Sequence, residues 1–328
     1  MTDPADLEPS QRPVAAVVYN PTKVDLDAVK AAVGVAESAA DRGPTLWFET
    51  SVEDVGQGVA REALDAGADL IIAAGGDGTI RAVAEVVATA DATFAVLPSG
   101  TGNLLARNLS LPLNDVQAAV DIAFTGADRA VDVGRIDVRR EDSSVDRHIF
   151  TVMAGAGLDA KMIEATDEDL KKKAGILAYV GAIGKVLRDG SDLHFRYRVD
   201  GGSPQRVTAH TLIVANCGSL PGKILLLPEA QIDDGVLDVL FLRPGRLLGW
   251  IQIFAKVLWE NGVVSRIPGL RHLRSREVKT VNTSTGKRIR ASFSRPEEFE
   301  LDGDGIGAGT AFAIQVLPGA LTTRVARA

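Results

Sequence analysis

The sequence predicts an α/β protein in two parts, an N-terminal doubly wound domain of three layers and a C-terminal β-sandwich. From residue 14 to about residue 130, short apolar strands alternate with helical segments, the grammar of a mostly parallel sheet. After Val131-Asp132-Val133-Gly134, β-rich segments follow one another across turns with few helices between them, as in a sandwich. At 328 residues and 46% hydrophobic, the chain can bury two cores. The expected division is 1–130 and 131–317, with 318–328 open to returning to the first domain.

In the first part, strands are expected over 14–19, 45–48, 70–74 and 94–97, and helices over Leu26–Ala39 and 52–66, with a further helical turn from Leu104. In the second, strands are expected over 149–153, Leu193–Val199, 207–214, Leu237–Leu242, 278–281, 289–293 and 311–316. Two helices, 167–187 and 246–261, interrupt them. The second carries Leu247, Trp250, Ile251, Phe254, Val257 and Leu258 on one stripe, which suits either an internal packing face or shallow docking on an anionic bilayer.

Composition narrows the chemistry. Cys217 is the single cysteine, so an intrachain disulfide and a cysteine-based metal site are both excluded. The four histidines show no metal-ligand spacing, and any metal is expected on oxygen ligands. Residues 1–10 are polar and no run approaches the ~20 apolar residues of a membrane span, so a cytoplasmic protein is expected. A net charge of −7 argues against nonspecific nucleic-acid binding. The charge is uneven: 243–295 holds twelve Lys and Arg against two acids, which leaves the remainder at −17. Pairing with that acidic remainder and contact with an anionic partner are both open.

The strongest local signal is Ala73-Ala74-Gly75-Gly76-Asp77-Gly78-Thr79 directly after Leu70-Ile71-Ile72. Glycines let a backbone approach a polyphosphate, a helix N-terminus favours the anion, and Asp77 can serve a magnesium ion. About one βα unit later, Pro98-Ser99-Gly100-Thr101-Gly102-Asn103 follows the strand at 94–97. Asn20-Pro21-Thr22-Lys23 follows the first strand, so three polar loops are expected at one sheet edge, where α/β proteins bind ligands. A Walker loop is absent. Gly155-Ala156-Gly157-Leu158-Asp159-Ala160 formally matches a dinucleotide fingerprint but has no acid about 20 residues on and sits among β segments.

In the second part, Asp233-Asp234-Gly235-Val236-Leu237-Asp238 suits a hard cation that also accepts backbone carbonyls, or a plain Asp-Gly turn. Leu301-Asp302-Gly303-Asp304-Gly305 is the best candidate for a general base, or else a solvated turn.

Taken in order, Asn20-Pro21-Thr22, Gly75-Gly76-Asp77-Gly78-Thr79, Pro98 to Asn103, Asp234 to Asp238 and Asp302-Gly303-Asp304 resemble the diacylglycerol kinase catalytic family, which includes the sphingosine and ceramide kinases. The resemblance implies an N-terminal domain similar to that of phosphofructokinase and NAD kinases, a C-terminal β-sandwich, and ATP between them. It implies ATP contacts at Asn20, Pro21, Thr22, Lys23, Thr50, Gly75, Gly76, Asp77, Gly78, Thr79, Arg81, Gly100, Thr101, Gly102 and Asn103, with Asp77 organising the catalytic Mg2+. It implies a second cation on Asp234 and the carbonyls of Gln231 and Val236. Asp302 and Asp304 fall on the family's Asp-Gly-Glu segment, which activates the lipid hydroxyl; here the Glu is the shorter Asp304, and either acid is open as the base. The loop after Ala215-Asn216 also departs from the family's glycine run, reading Cys217-Gly218-Ser219-Leu220-Pro221-Gly222-Lys223.

The implied activity is ATP-dependent phosphorylation of a lipid hydroxyl, diacylglycerol first, by a cytoplasmic protein working peripherally at an anionic membrane, with a homodimer open. An NAD kinase-like enzyme, a sphingoid or other lipid kinase, and a nucleotide- or lipid-binding sensor without turnover are the alternatives.

Overall fold

The computed structural model describes residues 12–157, 192–220, 224–242 and 281–327. The helices expected over 167–187 and 246–261, and the basic stretch over 243–280, lie outside the described residues. The chain divides into two compact units, one running up to Val133 and resuming at Leu317, the other Gly134–Val316.

The first unit contains β1 (Ala15–Tyr19), α1 (Leu26–Ala39), β2 (Leu46–Glu49), α2 (Gln57–Asp65), β3 (Leu70–Gly75), α3 (Asp77–Val87), β4 (Thr93–Pro98), α4 (Leu104–Asn108), α5 (Val116–Thr125) and the start of β5 (Ala127–Arg139). Its sheet runs β2-β1-β3-β4, all parallel, and the end of the chain's last strand adds beside β4 through Thr323 and Phe94. β1 and β3 are buried at every position, because helices cover both faces, and this is why they are continuous apolar runs rather than alternating ones. One face presents Val17, Ile72 and Leu97 to Val29 and Val33 of α1 and to Val120 and Phe124 of α5. α2 and α3 pack against each other and on β1 and β3, outside that cluster, and complete the third layer.

α2 starts at Gln57, five residues after its expected start at 52. The reason is a local cap. Ser51 Oγ accepts the N–H groups of Glu53 and Asp54, and the Asp54 carboxylate accepts those of Gly56, Gly58 and Val59 at 2.9–3.0 Å. Side-chain acceptors that satisfy backbone donors this way compete with helix and set its first turn. Burial pushes the Asp54 carboxyl up, but the three N–H groups and Arg61 outweigh it and hold the carboxyl below its ordinary range.

The second unit continues with β6 (Val145–Phe150), β7 (Met153–Ala156), β8 (Leu193–Val199), β9 (Gln205–Ala209), β10 (Thr211–Ala215), β11 (Ser219–Leu220), β12 (Ile224–Leu225), β13 (Leu237–Leu242), β14 (Val281–Gly286), β15 (Arg288–Leu301) and β16 (Asp304–Val325). The main order is β14-β13-β10-β7-β15-β16. β15 serves two layers: Phe299–Leu301 pairs with β7, whereas Ile289–Phe293 pairs with β8, which in turn pairs with β9. The change of partner accompanies a register shift between Ser292 and Glu297, where Pro296 has no N–H to give a ladder. Between the layers, Phe195 and Tyr197 of β8 meet Phe241 of β13 at ring separations of 5.7 and 4.6 Å, and Phe299 meets Phe293 and Phe312 at 5.4 and 5.8 Å.

The expected strands over 149–153 and 207–214 are each two strands, interrupted at Thr151–Val152 and at His210. The first interruption has a physical cause in the site below: its backbone donors are claimed by a side chain from β15's end rather than by a ladder.

Candidate functional site

In the first unit the strand ends lie level. Tyr19 stands opposite Glu49 and Ala74, and Gly75 opposite Pro98. The loops holding Asn20 to Lys23, Thr50, Gly75 to Thr79 and Gly100 to Asn103 therefore emerge along one edge, the carboxyl edge expected for ligand binding. The Asn20 N–H donates to the Ala74 carbonyl at 2.9 Å, tying the first loop to β3. Its side-chain oxygen accepts from the Thr22 N–H and hydroxyl at 3.0 and 2.8 Å, which turns the chain and leaves Pro21, Thr22 and Lys23 exposed. Thr50 is buried and donates its N–H to the Tyr19 carbonyl at 2.9 Å.

The two glycine loops interlock. Asp77 Oδ2 accepts the Asn103 N–H at 2.9 Å and Oδ1 the Leu104 N–H at 2.6 Å, so the acid that opens α3 also caps α4. Asn103 adopts a left-handed conformation and closes its own loop by exchanging two hydrogen bonds with Gly100, at 2.9 and 2.8 Å. Arg107 donates to the Gly102 carbonyl at 2.6 Å. The approach is so close that a Cβ on Gly100 would stand 2.9 Å from Gly76 Cα, and one on Gly102 would overlap the Asp77 carboxylate. A Cβ on Gly76 would stand 2.9 Å from Lys23 Nζ, so the ammonium lies directly over that glycine.

Gly76 is the N-cap of α3 and supplies no capping side chain. A helix N-terminus with a lysine over it has the charge and free N–H groups that suit phosphate oxygens. Gly78 is half-buried, Thr79 packs its side chain against Gly75, Arg81 is buried beside Glu85, and Thr101 is exposed. The glycine spacing located the loops, but Asp77's part in joining them is visible only in three dimensions.

In the second unit, Asp302 and Gly303 form the turn between β15 and β16 with φ of +49° and +94°, the left-handed pair of a tight hairpin. Asp302 is buried at 3% exposure and its carboxylate takes four donors: the Thr151 N–H and hydroxyl on Oδ2 at 2.8 and 2.9 Å, and the Val152 and Met153 N–H groups on Oδ1 at 2.8 and 2.9 Å. Its own N–H donates to the Met153 carbonyl at 2.9 Å. Asp304, two residues on, is half-buried. Buried Asn216 donates to the Thr151 carbonyl at 2.9 Å, and Cys217 lies against the same oxygen. Thr151, Asn216 and Cys217 are thus part of the support for this turn, a role no local pattern signals.

Asp234 is exposed, and its Oδ1 accepts the Val236 N–H at 3.1 Å in a turn completed by Gly235 at φ +75°; Gln231 is exposed nearby in the chain. Burial, followed by the charges of Asp234 and Glu229, pushes the Asp238 carboxyl up. Among the described residues, no group of three or more His, Cys, Asp or Glu side chains is placed to hold a metal. Asp132 is buried and accepts the Gly319 N–H at 2.7 Å, a turn-capping role. Gly155 lies within β7, paired with Ile213 and Glu300, and so opens no βα turn.

Residues 14–136 match the diacylglycerol kinase catalytic domain, and residues 152–325 match the YegS C-terminal NAD kinase beta sandwich-like domain. The chain belongs to the diacylglycerol kinase family. Within the family, it is 29% identical over 189 residues to a diacylglycerol kinase of Mycobacterium tuberculosis, a match covering 57% of this chain and 59% of that protein. It thus spans about three fifths of that relative's length. A crystal structure of a diacylglycerol kinase from Bacillus anthracis superimposes with a TM-score of 0.63 at 18% identity, over 96% of this chain and 97% of that one. Yeast NADH kinase, solved with NADH, gives 0.52 at 10% identity, over 97% and 84%. The family's architecture, an α/β unit followed by a β-sandwich, is the one the sequence predicts. No helix among the described residues is long and apolar enough to cross a membrane.

Proposed function

We propose that the protein is a lipid kinase that transfers the γ-phosphoryl group of ATP to a lipid hydroxyl, converting diacylglycerol to phosphatidic acid. The observation that carries this is the interlocked pair of glycine loops, with Lys23 over Gly76 and Asp77 joining α3 to α4. Cβ atoms at Gly76, Gly100 or Gly102 would fill the cradle, so the residues present fit a polyphosphate. Bound there, a nucleotide meets the start of α3 and one ammonium, and the loops hold it for in-line attack.

Magnesium, when bound, would neutralise phosphate charge, and Asp77 would be the carboxylate to hold it or its waters. The attacking lipid oxygen forms a bond to the γ-phosphorus, the bond to the bridging oxygen of ADP breaks, and the hydroxyl proton passes to a carboxylate. We assign that proton to Asp304, because both Asp302 oxygens are committed to the four donors of Thr151, Val152 and Met153. A lipid acceptor implies work at an anionic membrane surface.

The test is transfer from γ-labelled ATP with magnesium to a panel of diacylglycerol, sphingosine, ceramide and phosphatidylglycerol, with NAD as a control. Label in a lipid supports the reading and names the acceptor. Label in NAD alone replaces it with an NAD kinase, and ATP binding without transfer replaces it with a sensor.

We also assign the second cation to Asp234 with the carbonyls of Gln231 and Val236. Charge supports it: the Asp238 carboxyl is raised by burial and by its neighbours Asp234 and Glu229. A group raised on folding binds its proton more tightly in the folded state, so stability improves as pH falls through the raised value and is penalised above it. Millimolar magnesium or calcium is therefore expected to raise the melting temperature at neutral pH, with the gain shrinking as Asp238 protonates and disappearing in Asp234→Asn. An equal gain in Asp234→Asn removes the assignment.

A further inference from the structure

The outer face of the β8, β15 and β16 layer carries a second concentration of positive charge, apart from the glycine loops. Register places Arg290 of β15 directly opposite Arg198 of β8, and Arg196 of β8 directly opposite Arg206 of β9. Directly opposed side chains in an antiparallel pair are about 5 Å apart at Cβ, and like charges there are destabilising. Two such pairs share neighbouring strands, and Arg139 of β5 joins them. Arg139, Arg196, Arg198 and Arg290, but not Arg206, line a groove of about 560 Å³ together with Tyr197 and Phe312, within the ordinary range for a small-ligand site.

None of Arg139, Arg196, Arg198 and Arg290 has a side-chain hydrogen bond or ion pair among the described residues. The groove's one acid, Asp137, is held by Arg147 through two hydrogen bonds at 2.7 and 3.3 Å. Among the described residues the repulsion is therefore not answered. Association with a second copy through this face would set arginine against arginine. A bound anion removes the penalty, and arginine's planar fork matches phosphate oxygens in pairs.

We propose that this groove is a binding site for a phosphate-bearing anion, held by Arg198 and Arg290 with Arg139 and Arg196 at its sides. The site stands on the geometry of the second unit alone and does not depend on the kinase reading. Its chemistry is shared by a free phosphate ester and by the headgroup of an anionic phospholipid.

The experiment compares the full-length protein with its Arg198→Ala/Arg290→Ala variant. Binding of glycerol phosphate is followed by calorimetry, and binding to vesicles of phosphatidylglycerol or of phosphatidylcholine alone by co-sedimentation. The difference between the two proteins is the readout, because phosphate taken by the glycine loops is common to both. Removing one opposed pair is expected to leave the melting temperature unchanged or higher, so the variant folds.

At least tenfold weaker glycerol phosphate binding in the variant supports a site for a soluble ester. A loss confined to phosphatidylglycerol vesicles, diminishing with added salt in the wild type, supports the lipid headgroup as the source. Equal binding by both proteins in both arms, or no binding by the wild type, overturns the proposal.

Discussion

Asp302→Ala is expected to destabilise the β-sandwich unit by about 3–5 kcal/mol, the size reached when several buried donors lose their acceptor together. Three backbone N–H groups and the Thr151 hydroxyl would be left in a buried site without their acceptor, and each unsatisfied donor carries its own desolvation penalty. The urea midpoint and amide hydrogen exchange at Thr151, Val152 and Met153 measure this. Asp302→Asn should fall between, because its amide keeps one acceptor oxygen and turns an NH2 toward donors. Asp304→Ala is the informative contrast: stability within about 1 kcal/mol of the parent, with phosphoryl transfer reduced about 10²–10⁴-fold, the usual contribution of a general base. Should Asp302→Ala unfold with the parent's midpoint, the turn is not held as described. If Asp304→Ala keeps its turnover, the proton goes elsewhere.

Asp77→Ala should abolish most transfer, by about 10²–10³-fold, comparable to losing one preorganised electrostatic group at a developing charge. It should also cost about 1–2 kcal/mol, as the loss of a helix cap does, because the Asn103 and Leu104 N–H groups lose their acceptor. The two effects separate in Asp77→Asn. That variant can still cap one N–H and should recover part of the stability, but it has no carboxylate for magnesium and should stay inactive. Gly100→Ala provides a second route to the same loop: its Cβ would press on the Gly76 backbone at 2.9 Å and should raise KM for ATP before it alters the lipid dependence. Steady-state kinetics in both substrates, with thermal unfolding alongside, reads all three. Asp77→Ala with parental kcat and KM would remove the loop pair from the reaction.

Much of the first unit is legible in sequence because its signals are local. Leu26–Ala39 is a helix over its whole expected length, with Asp25 as its cap and apolar positions on one side. The Gly75-Gly76 turn lies where the glycines place it, and α3 opens directly after it at Asp77. The late start of α2 was also encoded locally, in Ser51 and Asp54, but apolar periodicity from Val52 onward masks a cap that side-chain chemistry imposes.

By itself, the sequence determined the change from βα alternation to successive strands and the glycine loops, but not α5, β5 or the splitting of two strands, since periodicity and glycine's conformational freedom act over a few residues. Only the tertiary structure decided what depends on groups far apart in the chain. Asp302 reaches its donors across about 150 residues, which breaks an expected strand at Thr151 and separates its role from that of Asp304. Asp77 reaches α4 across 26 residues. The arginines of β8, β9 and β15 become opposed pairs only through strand register, and register is set by pairing between strands, which no stretch of sequence displays on its own.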